Sequence, residues 1–371
     1  MGKYLFIAAG AGGDAIGAAM LAETLLPGSL PDIATMAWDR LIIDPVPGPR
    51  DAAAFEGLER IGRYNYRITP STKPRPPAGS TLPTLAASID ANLYMQDPSQ
   101  GVHGLSQQLH EIIRILDIRQ VIVVDVGGDI LTTGKDPGLR SPLADALSLA
   151  ALQGLPCPTH IVVIGAGLDG ELPAELVIER CQKYAIHSPR CLSAAVAGRF
   201  TSVFEWHPSE ASGLLFAAAI GLRGTAELRD HSAQVTLDDQ SNAIWEIDFS
   251  RVISLNVLAQ RLVGCNTLAQ AESAVRDTLR QPSEIDHERF KATHSLKPSS
   301  AKFDASQLPT KLKSIQTAAK ERGTDFLTLR RLADTLKISP YQIPLLRATL
   351  HDRFSNQYIP PLWSVNPEAF E

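Results

Sequence analysis

The chain contains 371 residues, of which 44% are hydrophobic and 20% are charged, and its formal net charge is −5. This balance excludes a large basic surface, so neither nucleic acid nor an anionic membrane is an expected partner. The four cysteines lack the paired spacing of zinc sites, and no stretch reaches the roughly twenty apolar residues that cross a bilayer. The first apolar run ends too early, at a turn containing Asp14, to be a signal peptide. We therefore expect a cytoplasmic globular protein.

A glycine-rich turn follows the first predicted strand. Residues 3–9 form an apolar run typical of a buried strand, and residues 15–26 predict a helix that is apolar nearly all round. Such turns expose backbone N–H groups and the positive end of the helix dipole, which bind phosphate. This one lacks the full G-x-G-x-x-G spacing and a Walker A lysine. A tight turn capped by Asp14 explains the pattern equally well. The candidate ligand-binding residues are Gly10, Gly12, Gly13 and Asp14.

Prolines interrupt the chain after the second predicted strand, at residues 33–38. Residues 44–84 contain eight prolines between short apolar pieces. A lid or binding loop and a disordered insertion both fit this composition.

Two carboxylates lie at the end of a β-branched, apolar run at residues 121–126. A predicted helix at residues 106–115 precedes this run, which continues through two glycines to Asp129. It predicts a buried parallel strand, whose carboxyl end is where open α/β sheets bind ligands. Because isolated buried charges are costly, Asp125 and Asp129 should be solvated, paired or ligated. We treat both as candidate catalytic residues. The adjacent candidate ligand-binding residues are Gly127 and Gly128.

A third strand end repeats the combination of glycine and acid. Helices are predicted at residues 142–152 and 173–185, on either side of a strand at residues 160–164. This alternation indicates a parallel sheet with helices on both faces. The candidate ligand-binding residues after the strand are Gly167, Asp169 and Glu171.

The acids at these strand ends offer the hard oxygen ligands that Mg²⁺ or Mn²⁺ prefers. Asp14 and Asp129 are the first candidates for metal binding, with Asp169 and Glu171 beside them. The alternative is that the same acids cap helices and bind hydroxyl groups or an amine without a metal.

His207 and Glu210 precede a predicted apolar helix at residues 211–221 and are further catalytic candidates. An unperturbed histidine titrates near neutrality and so suits a general base. The alternative is a structural histidine, with Ser209 or Glu210 capping the helix. No serine lies in a G-x-S-x-G elbow, so a hydrolase triad is not expected.

The composition divides the chain into three regions. We predict an α/β ligand-binding domain at residues 1–280, a polar linker or arm at 281–309, and a helical region at 310–371. The last region has helix-turn-helix spacing but no basic reading face, which favours packing on the main domain or on a second subunit of a homo-oligomer. Shorter predictions are a strand at residues 200–204 and a β-pair at residues 234–237 and 243–249.

Several of these motifs, in the same order, resemble the family known as domain of unknown function 1152. The matching segments are residues 10–14 with Gly17, residues 125–131, residues 141–143 with Asp145, Gly167 with residues 169–171, and residues 209–213 with Gly221 and Gly224. The resemblance covers roughly residues 1–240 and implies one α/β domain, without implying a reaction.

Together these patterns predict an α/β fold with a doubly wound, mainly parallel, Rossmann-like sheet and a small C-terminal helical appendage. The expected function is that of an enzyme acting on a phosphorylated or nucleotide-like small molecule, with Mg²⁺ as the candidate cofactor. The alternative is a non-catalytic ligand-sensing or scaffold protein whose C-terminal helices contact a protein partner.

Overall fold

A nine-stranded mixed sheet lies at the centre of the computed structural model, which describes residues 3–229, 233–294 and 303–366. The strands are β1 Lys3–Ala8, β2 Asp32–Met36, β3 Phe55–Glu56, β4 Glu59–Arg60, β5 Tyr66–Ile68, β6 Lys73–Pro74, β7 Asn92–Gln96, β8 Ile118–Val126, β9 Thr159–Ile164, β10 Arg190–Cys191, β11 Gly224–Glu227, β12 Gln234–Leu237, β13 Ala243–Ile247, β14 Phe326–Thr328, β15 Tyr358–Ile359 and β16 Leu362–Ser364.

Helices connect most of these strands. They are α1 Asp14–Leu25, α2 Leu82–Ser88, α3 Gly101–Leu116, α4 Pro142–Ala151, α5 Ala174–Tyr184, α6 Ala194–Gly198, α7 Thr201–Phe204, α8 Glu210–Ala219, α9 Phe249–Leu255, α10 Val257–Leu262, α11 Leu268–Leu279, α12 Glu284–His294, α13 Leu308–Glu321, α14 Leu329–Thr335 and α15 Ile343–Arg353. None of the helices in the described ranges is long and apolar enough to span a membrane.

The central sheet has the strand order β10-β13-β9-β8-β1-β2-β7-β5-β4. Its five middle strands, from β9 to β7, are parallel, whereas the strands at both edges are antiparallel. The predicted α/β class with a mainly parallel sheet is confirmed. From β1 the chain proceeds to β2 on one side, and from β8 to β9 on the other, so the strand order reverses between β1 and β8. Such a reversal opens a crevice at the carboxyl ends of the two strands.

Both faces of the parallel strands are buried. Leu5 and Ile7 of β1 lie in one hydrophobic core with side chains of α3, α4, α10 and α11, whereas Phe6 and Ala8 lie in the other with α1 and α8. Strands covered on both faces need continuous apolar runs, which explains why β1, β8 and β9 were recognisable in the sequence. Helix α1 is apolar nearly all round because it packs against the sheet as well as α6 and α8.

The proline-rich residues 44–84 form short strands and the beginning of helix α2. Strands β5 and β4 extend the central sheet beyond β7. The carboxylate of Asp39, which follows β2, accepts hydrogen bonds from the Thr81 hydroxyl at 2.6 Å and the Thr81 N–H at 3.0 Å. These bonds hold the C-terminal end of the proline-rich segment close to the end of β2.

Two local predictions are wrong. Residues 201–204 form helix α7 and not a strand, because Phe200, Val203 and Phe204 are spaced to lie on one helical face, where all three are buried. Strands β12 and β13 are not a pair: β12 pairs with β11 in a second sheet, whereas β13 pairs with β9. The chain passes from one sheet to the other in the turn between β12 and β13. In this turn the Ser241 hydroxyl accepts the Asp238 N–H and donates to Asp238 Oδ1.

The second sheet joins the C-terminal region to the rest of the chain. It has the order β12-β11-β14-β16-β15, so residues 326–364 supply three strands as well as helices, where helices alone were expected. Within the expected polar linker at 281–309, residues 284–294 form α12, and residues 295–302 lie outside the described ranges. The division of the chain into domains stays a prediction.

Candidate functional site

A cavity of about 510 Å³ opens at the carboxyl ends of the parallel strands. Its volume is within the range of small-molecule sites. Ten carboxylates and four arginine or lysine side chains line it among the described residues. All three predicted strand ends therefore contribute to one site. The acids are Asp14, Asp39, Asp125, Asp129, Asp145, Asp169, Glu171, Glu210, Glu284 and Glu288, and the cationic side chains are Arg40, Arg140, Lys291 and Arg330.

The first glycine turn makes room for two carboxylates. Asp14 is the first residue of α1 and does not cap the helix; its Oδ2 accepts the Gly10 N–H at 2.8 Å. A Cβ at Gly10 would lie 2.8 Å from Asp14 Oδ2 and 3.7 Å from Asp145 Oδ1. A Cβ at Gly13 would lie 2.9 Å from the hydroxyl of Ser209. Gly12 does not line the cavity and packs near Leu82.

The second glycine turn lets the chain leave β8 beside Asp169. Gly127 and Gly128 have φ values of +128° and +95°, which L side chains rarely adopt. A Cβ at Gly127 would lie 2.6 Å from Asp169 Cγ. The turn lets the Ile130 N–H donate to Asp125 Oδ2 at 3.1 Å and starts a short 3₁₀ helix at Asp129. Neither glycine lines the cavity, so the ligand-binding role predicted for both stays a prediction.

The third turn is organised by its acids. Glu171 accepts the N–H groups of Arg140 and Ser141 at 2.8 and 2.9 Å, and also the Ser141 hydroxyl. Asp169 Oδ1 accepts the Glu171 N–H at 3.1 Å, while its Oδ2 is buried without a hydrogen-bond partner in the described ranges. Gly167 lies outside the lining, where a Cβ would be 2.6 Å from Ala174. Glu171 thus fixes the loop before α4, while one buried oxygen of Asp169 has no hydrogen-bond partner among the described residues.

Three carboxylates converge most closely at the bottom of the cavity. Oxygens of Asp14, Asp125 and Asp145 all lie within 4.8 Å of one another, and all three residues are buried. We call these three residues the carboxylate trio. Asp129, predicted as a metal ligand together with Asp14, lines the same cavity but is not part of the trio.

Sequence reasoning missed Asp145 as a site residue. It is the one charged residue in α4, whose ten residues are all buried, and it is only 2% exposed. Its Oδ1 has no hydrogen-bond partner among the residues described. A single acid in an otherwise apolar helix was the available signal, because a buried charge is costly unless something compensates it.

Burial and mutual repulsion raise the pKa values of these acids. The pKa of Asp125 is raised to about 7, first by burial, with a further contribution from Glu171. Burial is also the main cause of the raised pKa values of Asp14 and Asp145, and the charge of Asp125 is the next largest. The pKa of Asp129 is raised by burial and then by Asp145. The cluster therefore resists full ionisation unless a cation joins it.

His207 is held in a neutral form. It is 3% exposed, and its Nδ1 accepts the Ser209 N–H at 3.1 Å. Burial, followed by the charge of Arg347, lowers the pKa of His207 to about 3. A group with so low a pKa is a weak proton acceptor at neutral pH. The hydroxyl of Ser209 caps α8 by accepting the Ser212 N–H, as the structural alternative anticipated.

Glu210 ties α8 to the C-terminal region. Its Oε2 pairs with Arg330 Nη1 at 2.8 Å, and its Oε1 accepts the Thr328 hydroxyl at 2.5 Å and the Arg229 N–H at 2.9 Å. These contacts favour a positioning role, while the catalytic role predicted for Glu210 stays untested.

We expect Glu210→Gln to destabilise the protein by about 3–5 kcal/mol, because it removes the negative charge that faces the buried Arg330. Urea unfolding measures this loss. Asp239→Asn is a matched control, since Asp239 is exposed in its pair with Arg223 and surface pairs contribute little. Equal stability of the two variants would contradict a structural role for Glu210.

Helix α12 closes one side of the cavity, and sequence reasoning did not anticipate it. Four of its side chains line the cavity at helical spacing: Glu284, His287, Glu288 and Lys291. Glu284 Oε1 accepts the Leu143 N–H at the start of α4 at 3.0 Å, and Glu288 accepts the Trp38 Nε1–H at 3.1 Å and the Gly48 N–H at 2.7 Å. The spacing of these four polar residues was the only sign of this face.

Comparison with known proteins adds a family. No curated protein and no solved structure matches the chain. Residues 5–292, which include every acid of the cavity and the four residues of α12 that line it, match the family described as "Protein of unknown function (DUF1152)". The chain therefore belongs to this family.

Proposed function

We propose that the protein is a divalent-cation-dependent enzyme that acts on a phosphorylated or nucleotide-like small molecule. The carboxylate trio is the observation that carries this proposal. In the proposal the sheet is doubly wound and Rossmann-like, and the ligand occupies the crevice where its strand order reverses.

The spacing of the trio suits one hard cation. Oxygens on opposite sides of Mg²⁺ are about 4.2 Å apart, and around Ca²⁺ about 4.8 Å, given bond lengths of about 2.1 and 2.4 Å. No two of the trio oxygens are farther apart than 4.8 Å, the separation across a bound Ca²⁺, so the three carboxylates form a candidate set of ligands for one cation. The buried, unpartnered Oδ1 of Asp145 supports a missing partner of positive charge. A cation there offsets the repulsion that raises the pKa values of the trio.

The cation would supply a Lewis acid for a phosphate oxygen and would lower the pKa of a bound water. Asp129 is 7% exposed, and the charges of Asp145 and Asp125 act on its carboxylate. It lines the cavity near the trio, so we assign it to accept the proton of the attacking water or hydroxyl.

We expect Asp129→Asn to lower turnover by about 10²–10⁴-fold, the usual contribution of a general base, and to lower cation affinity less than the replacement of a trio carboxylate does. Isothermal titration with Mg²⁺ and Mn²⁺ measures affinity, and phosphate release from a panel of phosphorylated compounds measures turnover. Unchanged turnover in a folded Asp129→Asn protein would remove Asp129 from the mechanism. A wild-type protein that binds cation and ligand without converting the ligand would favour the ligand-sensing alternative.

A further inference from the structure

A second cavity, of about 220 Å³, lies at the amino ends of the parallel strands, opposite the carboxylate trio. Strand β8 reaches both sites: Asp125, its second-last residue, belongs to the trio, whereas Gln120 and Ile122 near its start line this cavity. We call it the amino-end cavity. None of the described residues lines both cavities, so the two are separate sites.

The sheet gives the amino-end cavity a polar edge and an apolar floor. Four adjacent strands, β13, β9, β8 and β1, each contribute two alternate residues, which lie on the face of the sheet that α1 covers. In every strand the residue nearer the edge is polar and the next one is apolar. The polar residues are Tyr4, Gln120, His160 and Glu246, and the apolar residues are Phe6, Ile122, Val162 and Ile244. Leu21, Leu25 and Leu26, at the end of α1, complete the floor.

The loop after α5 closes one side of the cavity and is fixed at both ends to β13. The Ile186 N–H donates to the carbonyl oxygen of Glu246 at 2.9 Å, and strand β10 pairs with β13 where Arg190 lies opposite Ile244. The loop brings three polar side chains to the cavity. They are those of His187, Ser188 and Arg190.

Arg190 gives the cavity an unpaired positive charge. Glu246 is the one acid of the lining among the residues described, and its Oε1 lies 2.9 Å from Nδ1 of His160. Arg190 forms no ion pair within the described ranges. The other polar side chains of the lining carry neutral hydrogen-bond donors. The cavity therefore offers one guanidinium and several donors beside an apolar floor.

We propose that the amino-end cavity binds a small aromatic monocarboxylate. A guanidinium and a carboxylate form two parallel, charge-assisted hydrogen bonds, so Arg190 selects one anionic group. The apolar floor selects the ring. An engineered protein cavity of about 150 Å³ binds benzene, so a volume of about 220 Å³ holds one ring together with its carboxylate. This site goes beyond the proposed function and does not depend on it.

Titration calorimetry of the full-length protein with benzoate, benzamide and acetate tests both parts of the ligand. Benzamide keeps the ring and lacks the charge, whereas acetate keeps the charge and lacks the ring. We expect benzoate to bind at least tenfold more tightly than either compound. Benzoate that binds no more tightly than benzamide or acetate would overturn the proposal.

Arg190→Gln tests the location of the carboxylate. We expect this variant to weaken benzoate at least tenfold and benzamide less than twofold, because only the carboxylate pairs with the guanidinium. Arg190 is exposed, so its replacement should leave urea unfolding unchanged. Arg261→Gln is the matched control, because Arg261 is exposed on α10 and does not line the cavity. Loss of benzoate affinity in both variants, or in neither, would contradict the site.

The cation separates this site from the carboxylate trio. Benzoate should bind with the same affinity in EDTA and in saturating Mg²⁺, because no residue of the trio lines the amino-end cavity. Benzoate that binds only in Mg²⁺ would occupy the first cavity, and the proposal would then be wrong.

Discussion

Asp145→Asn is expected to abolish cation binding and at the same time to make the cation-free protein more stable. The variant keeps the shape of the side chain but removes one of three converging charges. Mutation of residues that contact only the metal ligands typically lowers metal affinity by about 10–100-fold. Replacing a carboxylate of the trio itself should therefore lower cation affinity by more than about 100-fold.

The stability gain has a separate physical origin. Two charges about 4 Å apart repel by about 4 kcal/mol at an effective dielectric constant of about 20, and partial protonation relieves much of this in the wild type. We expect a net gain of about 1–2 kcal/mol in EDTA, measured by urea unfolding. Saturating Mg²⁺ should stabilise only the wild type, by about 2.7 kcal/mol at a hundred times the dissociation constant.

Asp136→Asn provides the opposite control. Asp136 accepts hydrogen bonds from Arg180 at 2.6 and 2.9 Å and from the Thr133 N–H at 2.7 Å, so its replacement should destabilise the protein and leave Mg²⁺ affinity unchanged. If Asp145→Asn also destabilised the cation-free protein, mutual repulsion in the trio would be refuted.

In EDTA the wild-type protein should lose stability relative to Asp125→Asn as the pH rises from about 4 to 7. The pKa of Asp125 is raised from 3.8 to about 7 in the folded protein, where Asp14 and Asp145 face it. Between these pH values the folded state binds more protons than the unfolded state, so the free energy of unfolding falls as the pH rises. The shift is equivalent to about 4 kcal/mol for this one group.

The comparison with Asp125→Asn isolates the effect of this carboxylate, including its repulsion of Asp14 and Asp145, from that of groups elsewhere in the protein. His207, whose pKa is lowered to about 3, acts in the opposite direction below pH 6.5, but it contributes to both proteins. Unfolding by urea at pH 5.0 and 7.5, with EDTA and with Mg²⁺, provides the measurement. Mg²⁺ should abolish the fall in the unfolding free energy of the wild type between these two pH values, since a bound cation keeps the trio ionised in the folded state. An unfolding free energy with the same pH dependence in both EDTA samples would contradict the raised pKa.

Most of the strand ends that form the site could be predicted from the sequence, because parallel strands place their carboxyl ends at one edge. The apolar runs of β1, β8 and β9 were recognised, and Asp14, Asp125 and Asp129 do line one cavity. Asp145 was missed because a helix face can be assigned only once its packing partner is known. Its helix is buried on every side.

The remaining errors follow from interactions that are distant in sequence. Helix α12 buries little apolar surface, and its contacts with Gly48 and Leu143 bridge 240 and 141 residues. The second sheet consists of strands as short as two or three residues, whose pairing carries no local pattern. Deleting residues 310–371 would remove β14, which pairs with β11, and Arg330, which pairs with Glu210. Such a deletion would therefore disturb the site as well as remove the C-terminal region.

The pairing of β11 with β14 has a consequence for biosynthesis. Glu227 of β11 leaves the ribosome about 100 residues before Leu327 of β14, its partner, and at 5–20 residues per second this interval lasts about 5–20 s. During that time β11 has an uncovered edge, and Glu210 lacks Arg330. A nascent chain arrested before residue 326 should therefore hold a finished parallel sheet but an unfinished cavity, so ligand binding would begin only after residues 326–330 have been translated.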